Sequence, residues 1–137
     1  VELRRDEESV DAYQQNQASW SGGELAGGLP GGEVGHQFMG RYTRALRHIA
    51  SLYAEDATVA VISHGAAIRV FASLAGKLGA ATRHDRPLFN TGMVTLAGHP
   101  DEGWLLEDWM STPIGGEHLL GETEHDVTAD PNAESVA

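Results

Sequence analysis

The stretch Ser63-His64-Gly65-Ala66 holds the residue types and the spacing best suited to chemistry in this chain. A neutral imidazole at His64 can attack phosphorus or accept a proton, and a protonated one can donate to a leaving oxygen, all near neutral pH. Gly65, lacking a Cβ, lets an anion come close to the backbone. The helix-forming run that follows, Ala66-Ala67-Ile68-Arg69-Val70-Phe71, begins with N–H groups that have no partner inside the helix and favour negative charge. A histidine and a helix start aimed at one point suggest phosphate chemistry. The plainer reading of His64 is a hydrogen-bonded histidine at a strand end.

Two other chemistries compete for the same stretch. A nucleophilic serine elbow needs Gly-x-Ser-x-Gly; position 65 is glycine but position 61 is valine, so half of that turn is absent. His84, His99 and His118 downstream carry no supporting triad pattern. Metal binding finds seven histidines, at 36, 48, 64, 84, 99, 118 and 125, but no His-x-x-x-His pair and no cysteine. Scattered surface histidines are the simpler account.

The elements that must position His64 can be read on either side of it. Val59-Ala60-Val61-Ile62 is apolar without polar alternation, the pattern of a strand covered on both faces in a parallel sheet flanked by helices. Ligands of such sheets gather at the carboxyl ends of the strands, where His64 stands. The helix after it carries Ile68, Phe71, Ala72, Ala75 and Leu78 on one side, with Gly79 as its stop.

Upstream, residues 6–20 are expected to be helical, with Asp6, Glu7 and Glu8 in the first turn, Ser9 also able to cap, and Val10, Tyr13, Ala18 and Trp20 as an apolar side. Six glycines and Pro30 between Gly22 and Gly32 predict a loop, either a flexible connection or a flap beside a site. Glu33 to Glu55 is the strongest helical pattern: Phe38, Tyr42, Ala45, Leu46, Ile49, Leu52 and Tyr53 recur at three- and four-residue steps. Arg41, Arg44, Arg47 and His48 fall on the other side and read as a largely solvated face, with one arginine at most turned toward a site.

Downstream, residues 80–92 read as irregular. Met93 to Ala97 and Trp104 to Trp109 flank the turn His99-Pro100-Asp101-Glu102-Gly103, which predicts an antiparallel hairpin. From about Gly121 the acidic tail has no apolar period and is expected to be disordered, leaving residues 1–120 as one domain.

Composition bounds the partners. With 20 acidic against 9 basic residues the net charge is -11, which repels nucleic acid and anionic membrane, so a phosphate ligand has to be met by a local cluster of the few arginines. No apolar run approaches the ~20 residues of a membrane span, and Val1 does not begin a signal peptide; a cytoplasmic protein is expected. Val1-Glu2-Leu3-Arg4-Arg5 reads like the interior of a longer chain.

Leu29-Pro30-Gly31-Gly32-Glu33, then Phe38, Arg41 and Ala45-Leu46, then Val59 to Gly65 with Ile68-Arg69, and Asn90 ahead of the second strand, together resemble the C-terminal half of the histidine phosphatase superfamily, the phosphoglycerate mutase-like proteins. The resemblance spans roughly residues 1–110. It implies a three-layer α/β/α fold with a mainly parallel sheet, and a phosphatase or mutase acting on small phosphate monoesters through a phosphohistidine. His64 matches the family's second pocket histidine, and Gly65 and Ala66 match the backbone facing the phosphate. Glu33 matches the glutamate of the glycine-rich loop, read mainly as a carboxylate supporting a helix start and secondarily as a border of the substrate site.

No metal or cofactor is implied. The family's nucleophile sits in Arg-His-Gly after its first strand, and this sequence contains no Arg-His-Gly; Arg47-His48-Ile49 falls in mid-helix and Arg83-His84-Asp85 in a loop. The expectation is therefore a fragment that is inactive as it stands, with sheet edges seeking a partner, either a homodimer or a missing N-terminal segment. The alternative is a noncatalytic phosphate-binding or interaction domain.

Overall fold

The computed structural model describes residues 6–76 and 86–120. Helix α1 spans Glu7–Ser21, α2 Gly35–Ala50 and α3 Gly65–Ala75; strands β1, Met93–His99, and β2, Gly103–Met110, follow, with a 3₁₀ turn at Glu117–Leu119. None of the described helices is long and apolar enough to cross a membrane. The expected tail from Gly121, and Leu78 and Gly79 at the end of the expected third helix, lie outside the described residues.

The core is built around a row of aromatic rings that ties the elements together. Trp20 of α1 stacks on Phe38 of α2 at 5.6 Å between centroids, and Phe38 meets Tyr42 one turn later at 5.5 Å. Tyr42 meets Phe71 of α3 at 4.7 Å, and Phe71 meets the edge of Trp104 of β2 at 6.5 Å. Among the described residues, the buried hydrophobic ones are Phe38, Val70, Phe71, Ala72 and Leu88. Each such ring pair adds about 0.5–1.5 kcal/mol beyond the area it buries.

Helix α1 starts where its acidic residues predict. The Asp6 carboxylate accepts from the Ser9 N–H at 3.1 Å and from the Ser9 hydroxyl at 2.8 Å. Its buried face differs from the expected apolar side, because the buried residues are Ser9, Gln17 and Ser21, while Tyr13 stays exposed. α1 packs on α3, so tertiary packing and not the apolar pattern decides which side is covered. The Tyr13 phenol is pushed up from its ordinary pKa by partial burial.

Helix α2 is shorter than its pattern. It closes at Ala50, where Ser51 donates its N–H to the Arg47 carbonyl at 3.0 Å and its hydroxyl to the His48 carbonyl at 2.7 Å. Those bonds satisfy carbonyls left open at a helix end. Leu52 and Tyr53, expected on the apolar stripe, therefore lie beyond the helix and are exposed. Arg41, Arg44, Arg47 and His48 face solvent as the pattern predicts.

The glycine-rich stretch before α2 is a loop tied at several points. Gly28 bridges Val34, the Gly35 and His36 N–H groups donate to the Gly27 and Leu25 carbonyls, and the Trp20 indole N–H donates to the Gly27 carbonyl at 2.8 Å. Gly31 has φ 80 within it, a conformation glycine adopts without cost.

The antiparallel hairpin forms as expected, from Met93 opposite Met110 to His99 opposite Gly103. Thr95 pairs Asp108 and Leu96 pairs Leu106, leaving Glu107 as the extra residue of a β-bulge. This two-stranded sheet is the sheet of the described residues; the expected mainly parallel sheet is not assembled there. A single parallel bridge links Gly76, which ends α3, to Trp104. The expected strand Val59-Ala60-Val61-Ile62 is not formed. The segment has no strand partner among the described residues and all four residues are exposed. An α/β composition stands; the layering of a full parallel sheet needs strands that these elements do not include.

Candidate functional site

Helix α3 positions the residues that the sequence singles out. His64 is its N-cap, with φ -82 and ψ 143, an extended backbone that carries the incoming chain into the helix axis. The Ile68 N–H donates to the His64 carbonyl at 3.0 Å and closes the first turn. Gly65 and Ala66 are the first two helical residues and half-buried, while the His64 imidazole is exposed. No side chain caps this end and no acidic residue stands in its first turn. The partial positive charge of the first N–H groups is therefore not offset within the helix.

The rest of α3 is held firmly. Val70, Phe71 and Ala72 are almost wholly buried, and the Phe71 ring lies against Tyr42 and Trp104. The helix start is thus a fixed anion-favouring end beside an exposed imidazole. That arrangement can bind a phosphate group and exchange a proton with it.

Glu33 is elsewhere. It stands one residue before Val34, the N-cap of α2, and pairs through both carboxylate oxygens with Arg41. The Arg41 Nε and Nη2 donate at 3.2 and 2.5 Å. The guanidinium also lies 5.7 Å from the centroid of the Phe38 ring, and its pKa is raised above the ordinary arginine value, first by the hydrogen bond to Glu33. The helix-start support expected of Glu33 is given instead by Gln37, whose side-chain oxygen accepts from the Val34 N–H at 3.0 Å. No hydrogen bond or ion pair joins Glu33 to His64, Gly65 or Ala66 among the described residues.

Sequence reading missed two partnerships of the basic face. Arg41 reaches back eight residues to Glu33, and Arg47 reaches Asp101 in the hairpin turn at 2.5 Å. Neither spacing is the i,i+4 step that sequence inspection tests. Asn90 lies in a tight turn in which the Gly92 N–H donates to the Phe89 carbonyl at 2.9 Å. Thr91, beside it, has φ 61, which a β-branched residue rarely adopts.

No other histidine among the described residues hydrogen-bonds to His64, so what they bring together here is one imidazole and a helix start. No characterised protein and no solved structure matched the chain. A family model, described as histidine phosphatase superfamily (branch 1), matches residues 1–112, a span that includes His64 and the whole hairpin, and the chain belongs to that superfamily.

Proposed function

We propose that His64, Gly65 and Ala66 form one side of a phosphate pocket in a phosphatase or mutase that acts on small phosphate monoesters through a phosphohistidine. The observation that carries this reading is the exposed imidazole at an α3 start that no side chain caps. In this reading the ester phosphate lies against the Gly65 and Ala66 N–H groups, and His64 stabilises the phosphoryl oxygens or passes a proton to them. The phosphoryl group moves to a nucleophilic histidine supplied by residues outside this sequence, which has no Arg-His-Gly, as its bond to the ester oxygen breaks and that oxygen takes a proton and leaves as the alcohol; water or an acceptor hydroxyl then attacks the phosphohistidine, giving up its proton as the bond to the histidine nitrogen breaks. The complete protein carries the three-layer α/β/α fold with a mainly parallel sheet, and the 137 residues alone bind phosphate without turnover.

Titrating inorganic phosphate into the 137-residue chain while following the His64 imidazole resonances tests the pocket. Saturable shifts, lost in His64→Ala, are expected; unperturbed His64 resonances would sink the assignment. In the complete enzyme, His64→Ala should lower phosphatase turnover by ~10²- to 10⁴-fold, the usual worth of positioned proton transfer.

The absence of Arg-His-Gly favours a second reading, a noncatalytic phosphate-binding domain. Phosphoenzyme formation separates the two: a complete protein that binds phosphate but never labels a histidine supports the second.

A further inference from the structure

All the sulfur of this chain is in Met39, Met93 and Met110, since it has no cysteine. The fold sets two of the three against each other: Met93, the first residue of β1, is paired with Met110, the last residue of β2. Residues directly opposed in an antiparallel pair project to the same face, with Cβ atoms about 4.5–5.5 Å apart. Met93 is 38% exposed, while Met39 and Met110 are partly buried.

The pair stands at a crowded corner. Three hydrogen bonds tie the chain entering β1 to the end of β2 and the chain leaving it. The Trp109 indole N–H donates to the Pro87 carbonyl at 3.0 Å, the Phe89 N–H to the Ser111 carbonyl at 3.0 Å, and the Ile114 N–H to the Thr91 carbonyl at 3.1 Å. Within this corner a Cβ added at Gly92 would meet the Phe89 and Ser111 carbonyl oxygens at 2.9 Å. Close-packed backbone transmits a change of size or polarity at a neighbouring side chain.

We infer that Met93, with Met110 across the strand, is a reversible oxidation site for hydrogen peroxide. The Met93 sulfur attacks one peroxide oxygen; an S–O bond forms, the O–O bond breaks, and the departing hydroxide takes a proton and leaves as water. The sulfur loses two electrons and the peroxide gains them. A dithiol reductant reverses the step: its thiols become a disulfide, and the sulfoxide oxygen leaves as water. The thioether is soft and polarizable, and no thiolate in the chain competes for the peroxide. The sulfoxide is polar and stands opposite the apolar side chain of Met110. Its solvation draws the start of β1 away from the end of β2. Neither methionine is among the candidate site residues at His64, Gly65 and Ala66.

The test adds hydrogen peroxide to the 137-residue chain, locates the added oxygen by mass spectrometry of proteolytic peptides, and follows hydrogen exchange at the Phe89 amide. Met93 should gain one oxygen ahead of Met39 and Met110, and the Phe89 amide should then exchange at least ~10-fold faster, the sign of local opening. Methionine sulfoxide reductases for both epimers, with dithiothreitol, should restore the mass and the protection. Met93→Leu should keep Phe89 protected in peroxide, and Met93→Gln, polar from the outset, should show the fast exchange without peroxide. Three outcomes would overturn the inference: Met39 oxidised as early as Met93, Phe89 protection unchanged once Met93 carries its oxygen, or the same loss of protection in peroxide-treated Met93→Leu.

Discussion

The Phe71 ring packs on Tyr42 with centroids 4.7 Å apart, and through this contact the helix that begins at His64 is held to α2. Phe71 also meets Trp104, so one side chain bridges α2 and β2. Replacing it with alanine removes the contacts and leaves a cavity. Phe71→Ala should cost about 3–5 kcal/mol, read as a lowered urea midpoint, whereas Tyr42→Phe, which keeps the ring, should cost less than about 1 kcal/mol. Equal losses in the two would show that the ring contact is not what holds α3.

Stability and binding should move in opposite directions at His64. The α3 N-cap has no capping side chain, and aspartate is a strong N-cap. His64→Asp should stabilise the chain by about 0.5–2 kcal/mol at pH 7 and abolish phosphate binding, because the new carboxylate takes the same N–H groups and repels the anion. Retained phosphate binding in this variant would place the anion elsewhere.

Gln17 is 8% exposed and its Nε2 has no hydrogen-bond partner. An unpaired buried donor costs about 1–3 kcal/mol. Gln17→Met, nearly the same shape without the donor, should raise stability by about 1 kcal/mol in a denaturant titration. A loss of that size would mean that the amide is satisfied in solution.

The Glu33 and Arg41 side chains are 35% and 59% exposed, and solvent discounts their ion pair. Glu33→Gln should cost about 0.2–1 kcal/mol at low salt, and less as salt is added. Phosphate binding should be unchanged, since Glu33 is engaged with Arg41 and has no bond to the α3 start. Weaker phosphate binding in Glu33→Gln would return Glu33 to the border of the site.

The hairpin, the start of α1 at Asp6 and the helix after His64 were legible because short-range signals dictate them: apolar runs on either side of a turn, a capping carboxylate, and small apolar residues at helical spacing. The end of α2 was not, since the helical period runs on to Leu52 and Tyr53 while the helix closes at Ala50, where the Ser51 hydroxyl takes up the His48 carbonyl. The buried stripe Ser9, Gln17 and Ser21 was invisible for another reason. Which side of a weakly amphipathic helix is covered depends on the neighbour it meets, here α3.

The superfamily was legible in the sequence itself, and so were His64, Gly65 and Ala66 as the candidates for a site, because a histidine between a β-branched run and a helix start is a local pattern with local chemistry. Tertiary structure alone decided that Glu33 belongs to Arg41, that Phe71 joins α2 to β2, and that Val59–Ile62 has no strand beside it among the described residues. Those are pairings between distant residues, and a strand's apolar pattern states that it needs partners but not whether the chain provides them.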